Sequence, residues 1–297
     1  MDGLLLVDKP LGFTSHDAVA YIRRVLGEKR IGHTGTLDPE ATGLLLLLVG
    51  KASRLARFFE LDYKKYRAVM RLGAETDTQD KAGQVVCECP VPELEPAGVE
   101  EVFRRFTGII TQVPPIYSAL KQGGVPLYKL ARAGGEVERK PRQVTVEALV
   151  LLCIDGPEIE FEAHCSKGTY IRTLASDMGR ALGSCAHLTA LRRISVGGYN
   201  VEDALAISAR PDKVEAQGRL IPIDRMLPWL PGAVVSDDAA RRVMDGRSPE
   251  AGEYLVLPSG LGEGAAVRVL SETGAMLAVA ESAGDAAVPL RLKVVLV

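Results

Sequence analysis

One acidic side chain lies in a segment whose composition suits a ligand-binding loop. Residues 32–43 read GHTGTLDPEATG, so that glycines, threonines and one Asp-Pro pair surround Asp38. Glycine allows a backbone to approach a ligand closely, and Pro39 stiffens the turn beside the carboxylate. A carboxylate held in this way can act as a nucleophile or as a general base. Composition alone also fits a structural role for Asp38 in an Asx turn or a helix cap.

Arg172 follows a glycine turn and stands at the start of a predicted helix, in the run SKGTYIRTL at residues 166–174. The helix dipole makes this end of a helix the less favourable one for a cation. The position therefore predicts an anionic partner, either an active-site carboxylate or an RNA phosphate. The alternative is a solvated arginine on the surface.

Two segments have the pattern of a surface that binds nucleic acid. Residues 63–67 read YKKYR, so aromatic rings that can stack on bases alternate with cations. Residues 118–146 contain six basic and two acidic residues, a net charge of +4, and two Gly-Gly pairs. This composition suggests a flexible basic arm that contacts phosphates. Each segment also fits a structural reading, an ordinary strand tyrosine in the first and a solvated helical hairpin in the second.

Length and composition limit the class of protein. The chain has 297 residues and 47% hydrophobic content, enough for one large domain or for a large and a small one. Its 36 basic and 38 acidic residues give a net charge of −2, so the overall charge does not indicate a nucleic-acid binder. The longest apolar run, residues 44–49, is too short for a membrane span, and no signal peptide is apparent. We expect a soluble cytoplasmic protein.

The chain has an odd number of cysteines, five, and no C-x-x-C pair. They are Cys87, Cys89, Cys153, Cys165 and Cys185. This pattern argues against a disulfide framework and against a structural zinc site. We therefore expect reduced, mostly structural cysteines and no metal site.

The hydrophobic patterns predict helices and strands without a regular alternation. Strands are predicted at 3–7, 66–72, 144–154 and 158–165, the last two as a hairpin, and helices at 98–106 and 171–182. A first helix is expected to begin at Thr14 or Ser15 and to end at Gly27. Residues 44–49 fit either a buried strand or a buried helical turn. This mixture favours an α+β fold, with helices against a mixed, largely antiparallel sheet.

A proline-rich stretch predicts a domain boundary. Four prolines between residues 211 and 231 interrupt any periodicity, which separates a large domain at 1–233 from a small one at 234–297. Short strand candidates at 265–270, 275–280 and 290–297 suggest a small β-barrel-like module. Its six basic and nine acidic residues, a net charge of −3, make it a poor general phosphate binder.

Several ordered motifs complete the pattern across most of residues 3–200. They are DKP at 8–10, residues 32–43, KKYR at 64–67, TDT at 76–78 with Asp80, PPIYSALK at 114–121, residues 165–173, and AHL at 186–188 with LRR at 191–193. Together these motifs resemble the TruB family of tRNA pseudouridine synthases, although each one alone would be weak evidence. The resemblance implies a pseudouridine-synthase catalytic domain followed by a small domain of the PUA type.

The resemblance also implies a role for individual residues. Asp38 matches the family's catalytic aspartate, Arg172 its paired arginine, and Tyr66 the tyrosine that stacks on the target base. His33 matches a histidine that inserts into the RNA loop, and Lys9 a residue that supports the site. The further matches are Tyr170 and Leu191 in the uracil pocket and, in an RNA-clasping insertion at about 115–142, Lys121, Lys129 and Arg132.

The implied reaction isomerises one uridine of the tRNA T-loop, at position 55, by base flipping. The expected partner is the T-stem-loop of tRNA, and we expect a monomer without a metal, a small-molecule cofactor or a membrane attachment. Asp38 would act as nucleophile or as base, and Tyr66 or a water would accept the proton from carbon 5. The main alternative is a non-catalytic protein that binds RNA or helps tRNA to fold. An acid–base hydrolase would require a second carboxylate, for which Glu40 is the nearest candidate.

Overall fold

The computed structural model describes residues 1–59, 63–116 and 139–296, together with the backbone of two short strands at 121–122 and 125–126. The strands up to residue 222 are β1 (Gly3–Lys9), β2 (Ile31–Thr34), β3 (Ala41–Val49), β4 (Tyr63–Leu72), β5 (Ala74–Thr76), β6 (Val85–Glu88), β7 (Gly108–Gln112), β8 (Lys121–Gln122), β9 (Val125–Pro126), β10 (Arg142–Asp155), β11 (Glu158–Ser166), β12 (Ala186–Val196), β13 (Tyr199–Asn200), β14 (Leu205–Ala206) and β15 (Ile221–Pro222). The helices in this part are α1 (Ser15–Leu26), α2 (Pro96–Arg105), α3 (Ile171–Ala181) and α4 (Lys213–Gly218), with a 3₁₀ helix at Gly50–Phe59.

The predicted signals for the first helix are confirmed in detail. Thr14 is the N-cap, and its hydroxyl and the Asp17 carboxylate form a capping box. Gly27 ends the helix in the left-handed conformation, with φ of 68°. The apolar face of α1, which includes Val19 and Ile22, packs against one face of the main sheet.

β3 is a strand that is buried on both faces. Its residues Leu44, Leu46 and Leu48 pack with Leu4 and Phe59, whereas the alternate residues pack against α1. Side chains of a strand alternate between the two faces of a sheet, so burial on both sides produces a continuous apolar run. This packing resolves the ambiguity at residues 44–49 in favour of a strand.

The main sheet is mixed, as the α+β prediction requires. Its path runs β14-β1-β3-β12-β4-β11-β10-β7, with β2 paired to β3, β13 to β12 and β15 to β1. The β1–β14 and β3–β12 pairs are parallel, and the other pairs of the sheet are antiparallel. The predicted hairpin is confirmed as β10–β11, with Asp155 opposite Glu158. α2 and α3 cover the half of the sheet formed by β4, β10, β11 and β12.

A second sheet begins close to the predicted domain boundary. Its strands are β16 (Gly232–Val235), β17 (Tyr254–Val256), β18 (Ala266–Leu270), β19 (Met276–Ser282) and β20 (Leu290–Val295), with helix α5 (Asp237–Met244) packed on it. The path β17-β16-β18-β19-β20 is open at both ends among the residues that the structure describes. The predicted strands of this module are therefore confirmed, but closure into a barrel, the PUA type and the two-domain division remain predictions.

The expectation of reduced cysteines is wrong for one pair. Cys89 and Cys185, which are 96 residues apart, form a disulfide. The sequence pattern could not reveal the pair, because β-sheet packing and not a local spacing brings the two residues together. Within the described ranges, no helix is long and apolar enough to cross a membrane.

Candidate active site

Asp38 lies in the loop between β2 and β3, and hydrogen bonds fix the backbone on both sides of it. The Ser15 hydroxyl accepts a hydrogen bond from Leu37 N at 2.9 Å and donates one to Leu37 O at 3.1 Å. On the other side, Gly12 N donates to Pro39 O at 2.9 Å. Because Leu37 is itself buried, the loop projects the Asp38 carboxylate, which is 43% exposed, from a rigid base.

Arg172 joins Asp38 to a second carboxylate. Its Nη2 lies 3.0 Å from Asp38 Oδ2, and its Nη1 lies 3.5 Å from Asp80 Oδ2. The same Nη1 donates a hydrogen bond to Thr78 O at 3.0 Å. Arg172 is buried, so its charge requires these anionic and polar partners. The predicted anionic partner of this helix-start arginine is thus a carboxylate pair.

The turn between β5 and β6 positions Asp80. Its Oδ1 accepts hydrogen bonds from the Thr78 hydroxyl at 2.6 Å and from Ala82 N at 3.1 Å, and the Thr76 hydroxyl donates to its backbone carbonyl at 2.6 Å. These contacts leave Oδ2 directed at Arg172. Asp80 belongs to one of the motifs that resemble the family, but the resemblance implied no role for it in the site.

Tyr66 lies on β4 beside a second buried arginine. Arg193 is opposite Tyr66 in the β4–β12 register, and its charge acts on the Tyr66 phenol. Arg193 also donates to Leu44 O at 2.7 Å and to Gly35 O at 2.8 Å. Burial raises the pKa of Tyr66 above its ordinary value, an effect that the charge of Arg193 partly offsets. The phenol is therefore neutral at physiological pH, and its ring is rigidly held.

The close approach of β3 and β12 beside Arg193 requires a glycine on β3. Gly43 has φ of +102°, and a Cβ at this position would overlap the backbone carbonyl oxygen of Arg193. Any other residue would push β3 away from β12 and displace Arg193, which is paired with Tyr66 in the β4–β12 register. Arg193 was not among the predicted site residues. Its only signal was its place in the LRR motif.

These side chains line one cleft of about 280 Å³. Its lining includes the predicted residues Asp38, Tyr66, Tyr170, Arg172 and Leu191, together with Arg193 and Lys64. Tyr170 is held by Gln112, whose amide exchanges hydrogen bonds with the Tyr170 backbone at 3.1 and 3.3 Å. The cleft therefore combines one carboxylate, aromatic and aliphatic walls and several cations, which suits a planar polar ligand attached to an anionic chain.

His33 lies outside this cleft, in an adjoining one. The second cleft, of about 570 Å³, is lined by His33, Thr34, Gly35, Ala56, Arg57, Phe59, Lys64, Lys167, Gly168 and Val196. The two clefts share Gly35, Lys64 and Gly168. Burial, aided by the neighbouring His16, lowers the pKa of His33, so its ring is neutral at physiological pH. The ring lies 5.4 Å from that of His16, edge to face.

Lys9 is fully buried and lies outside both cleft linings. Its ammonium group donates hydrogen bonds to Phe13 O at 2.6 Å and to Pro10 O at 3.0 Å. Burial lowers its pKa from 10.5 to about 8, although the charge of Asp38 acts in the opposite direction. These contacts fix residues 10–13, and Gly12 of this segment donates a hydrogen bond to Pro39 O in the Asp38 loop.

The predicted basic arm is described only in part. Lys129 and Arg132 lie outside the described residues, and Lys121 is described by its backbone alone, in β8. Their predicted contact with RNA remains a prediction.

Comparison with known proteins shows the family to which the chain belongs. The family model "TruB family pseudouridylate synthase (N terminal domain)" matches residues 23–171, which include Asp38, Tyr66 and Asp80. The chain belongs to the TruB family. A second model, "tRNA pseudouridylate synthase B C-terminal domain", matches residues 172–227 and begins at Arg172.

Curated relatives and solved structures extend the match over nearly the whole chain. The tRNA pseudouridine synthase B of Geobacter sulfurreducens is 45% identical over 95% of this chain and 94% of its own. That of Burkholderia lata is 46% identical over 99% and 91%. Among solved structures, a Cbf5–Nop10–Gar1 complex contains a chain with a TM-score of 0.77 and 24% identity, covering 99% of this chain and 85% of its own. This last likeness shows the fold of the chain alone.

Proposed function

We propose that this protein converts uridine 55 in the T-loop of tRNA to pseudouridine. The observation that carries the proposal is the Asp38 carboxylate, which is ion-paired with Arg172 in a cleft that Tyr66 lines. The relatives named tRNA pseudouridine synthase B support tRNA as the substrate.

The reaction requires only a carboxylate, a cation beside it and a pocket that holds the detached base. The glycosidic bond between N1 of uracil and C1′ of ribose breaks, the base rotates in the cleft, and a bond forms between carbon 5 and C1′. Carbon 5 then loses a proton, and N1 carries one in the product. Atoms and electrons balance within the nucleotide, so the reaction needs no redox partner and no group donor.

Asp38 acts in one of two ways, as a nucleophile on the ribose or the base, or as a general base toward a ribose proton. Both require the anion. The Arg172 guanidinium at 3.0 Å stabilises the anion and fixes its direction. Asp80 in turn pairs with Nη1, the other terminal nitrogen of Arg172. We assign Asp38 to the chemistry, and Arg172 and Asp80 to its orientation and charge.

Base flipping gives the two clefts different tasks. Extrusion of a uridine costs a few kcal/mol, and stacking on an aromatic ring returns about 1–3 kcal/mol per base. Tyr66 offers that ring beside Asp38, with Tyr170 and Leu191 as further walls. His33, in the adjoining cleft, occupies the space that the base leaves in the RNA loop. Lys121, Lys129 and Arg132 contribute phosphate contacts from the basic arm.

The remaining features of the proposal follow from the family. We propose that the protein acts as a monomer in the cytoplasm and uses no cofactor for the isomerisation. The C-terminal sheet is proposed to be a PUA-type domain, and residues 1–233 the catalytic domain. The non-catalytic alternative, an RNA-binding or tRNA-folding protein, leaves the Asp38 carboxylate unexplained, because a carboxylate facing phosphates repels them.

The substitution Asp38→Asn tests the proposal. The amide keeps the size of the side chain but removes the negative charge, and with it both the nucleophile and the base. We expect pseudouridine formation in a T-stem-loop RNA to be abolished, while RNA affinity stays within about tenfold, roughly 1.4 kcal/mol. Glu40→Gln is the matched control, because Glu40 lies two residues away and pairs with Lys81 at 3.5 Å. We expect this control to keep its activity.

Two results would contradict the proposal. If the wild-type protein forms no pseudouridine in tRNA, the non-catalytic alternative takes its place. If Asp38→Asn retains a tenth of the wild-type rate or more, the catalytic assignment of Asp38 is wrong.

A further inference from the structure

Three cysteines come together at the base of the β5–β6 hairpin, away from the catalytic cleft. The Sγ atoms of Cys87, Cys89 and Cys185 all lie within 4.8 Å of one another. Cys89 and Cys185 form the disulfide, and Cys87 Sγ lies 3.8 Å from Cys89 Sγ. Neither the tRNA reaction nor the disulfide gives Cys87 a role.

Strand geometry explains why two of these sulfurs face the third. Cys87 lies in β6 and Cys89 follows its end, so the two residues are two positions apart in extended chain. Side chains at this spacing point to the same side of a strand. Cys185 lies just before β12, on the side toward which both point. The Cys-x-Cys spacing thus forms a pair, and the sheet supplies the third thiol.

Backbone contacts hold this arrangement without the disulfide. Gly73 N donates to Cys185 O at 2.9 Å, and Cys89 N donates to Gly73 O at 3.0 Å. The Ser184 hydroxyl donates to Pro90 O at 2.8 Å, and Cys87 pairs with Glu75 in the β5–β6 register. Reduction of the disulfide would therefore leave the three thiols as neighbours.

We propose that Cys87, Cys89 and Cys185 bind one Zn²⁺ ion in the reduced protein. Zinc–thiolate bonds of about 2.3 Å in tetrahedral geometry place two sulfurs about 3.8 Å apart, and this is the distance between Cys87 Sγ and Cys89 Sγ. Cys87 is exposed and Cys185 is buried, so an ion can enter from the solvent side. A water molecule takes the fourth position, as it does in zinc sites with three protein ligands.

Zinc binding by the oxidised protein would require two steps, reduction of the disulfide and then coordination of the ion. A dithiol reductant transfers two electrons and two protons to the Cys89–Cys185 disulfide, and the reductant becomes a disulfide itself. Zinc then binds the three sulfurs as thiolates, and the three thiols release their protons to the solvent. The disulfide is the oxidised, metal-free form of the same site.

The position of the site gives the ion a structural effect. The β5–β6 hairpin carries Thr78 and Asp80 at its turn, where they bind Arg172. Zinc would connect the base of this hairpin to the start of β12, as the disulfide does in the oxidised protein. Binding of an ion to the folded state alone stabilises that state, so zinc should raise the melting temperature of the reduced protein.

Metal binding can be measured on the full-length reduced protein without RNA. We expect one Zn²⁺ per chain in competition with a chromophoric chelator, and Cd²⁺ should produce sulfur-to-metal charge-transfer absorption. Cys87→Ser should weaken zinc binding at least 100-fold and remove the increase in melting temperature. Cys87 is exposed and outside the disulfide, so this variant keeps its fold. Cys153→Ser is the matched control, because Cys153 is also exposed and free, and it should bind zinc like the wild type.

Three outcomes would overturn the proposal. They are a reduced wild-type protein that binds no zinc, zinc binding that Cys87→Ser leaves unchanged, and an equal loss of binding in Cys153→Ser. Because the measurement involves no RNA, its failure leaves the proposed tRNA activity untouched, and the failure of that activity leaves the zinc measurement intact.

Discussion

Asp80→Asn is the substitution that most directly tests how the catalytic carboxylate is held. Asp80 is buried, and its two carboxylate oxygens have different partners. An asparagine can keep the Oδ1 contacts with Thr78 and Ala82. It replaces Oδ2, which faces Arg172 at 3.5 Å, with an NH₂ group. The change therefore removes one attraction and places a donor opposite a donor.

The magnitude follows from this geometry. At 3.5 Å and an effective dielectric constant of about 20, Coulomb's law gives an attraction of about 5 kcal/mol. Desolvation of the two groups offsets much of this, and hydrogen bonds to charged groups contribute about 1.5–3 kcal/mol net. Arg172 keeps Asp38 and Thr78 O as partners, so the loss is partial. We expect about 2 kcal/mol less transition-state stabilisation, or roughly a 30-fold lower kcat.

The assay is single-turnover release of tritium from carbon 5 of uridine in a T-stem-loop RNA, with RNA affinity measured on the same preparations. A positioning role predicts a lower rate at saturating RNA with little change in affinity. Asp77→Asn is the matched control, because Asp77 lies in the same turn and its Oδ1 accepts only from Gln84 N among the hydrogen bonds described. The reasoning is refuted if Asp80→Asn stays within twofold of wild type, or if Asp77→Asn loses as much.

Three further expectations concern charge and metal. Lys9 has its pKa lowered from 10.5 to about 8 in the folded protein, so the unfolded chain binds more protons between these values. Stability should therefore rise with pH across this window by up to about 3 kcal/mol, relative to Lys9→Met. Urea unfolding at several pH values checks the difference, and parallel curves for the two proteins would contradict it. Replacing Lys121, Lys129 and Arg132 together by alanine should weaken RNA binding and flatten its dependence on salt; an unchanged salt slope would make the arm structural. Excess chelator should leave the turnover of the oxidised, disulfide-bonded protein on a prefolded short stem-loop nearly unchanged, because the chemistry is assigned to Asp38; a large loss would contradict that assignment.

The local elements were predictable because their signals are local. Thr14 and Gly27 mark the ends of α1 through hydrogen bonds within a few residues. The turn at 155–158 joins two strands that are neighbours in sequence, so β10 and β11 pair as expected. The α+β class followed from the same signals.

Part of the candidate site was also predictable from the sequence. Asp38, Tyr66, Tyr170, Arg172 and Leu191 were assigned by the order of motifs, and the structure brings all five into one cleft. Spacing alone could not have grouped them, since they come from a loop, two strands and the start of a helix. The resemblance to a family supplied what local chemistry left open.

Contacts between distant residues were decided by tertiary structure. The run at 44–49 became a strand because both of its faces are covered, which periodicity cannot reveal. The turn of the β5–β6 hairpin places Asp80 beside Arg172. The position of β2 in the main sheet places His33 in a separate cleft. Cys89 and Cys185 form a disulfide although they are 96 residues apart in sequence. The sequence determined elements through interactions over a few residues, whereas these pairings depend on which strands adjoin, and that is fixed only by burial of the whole core.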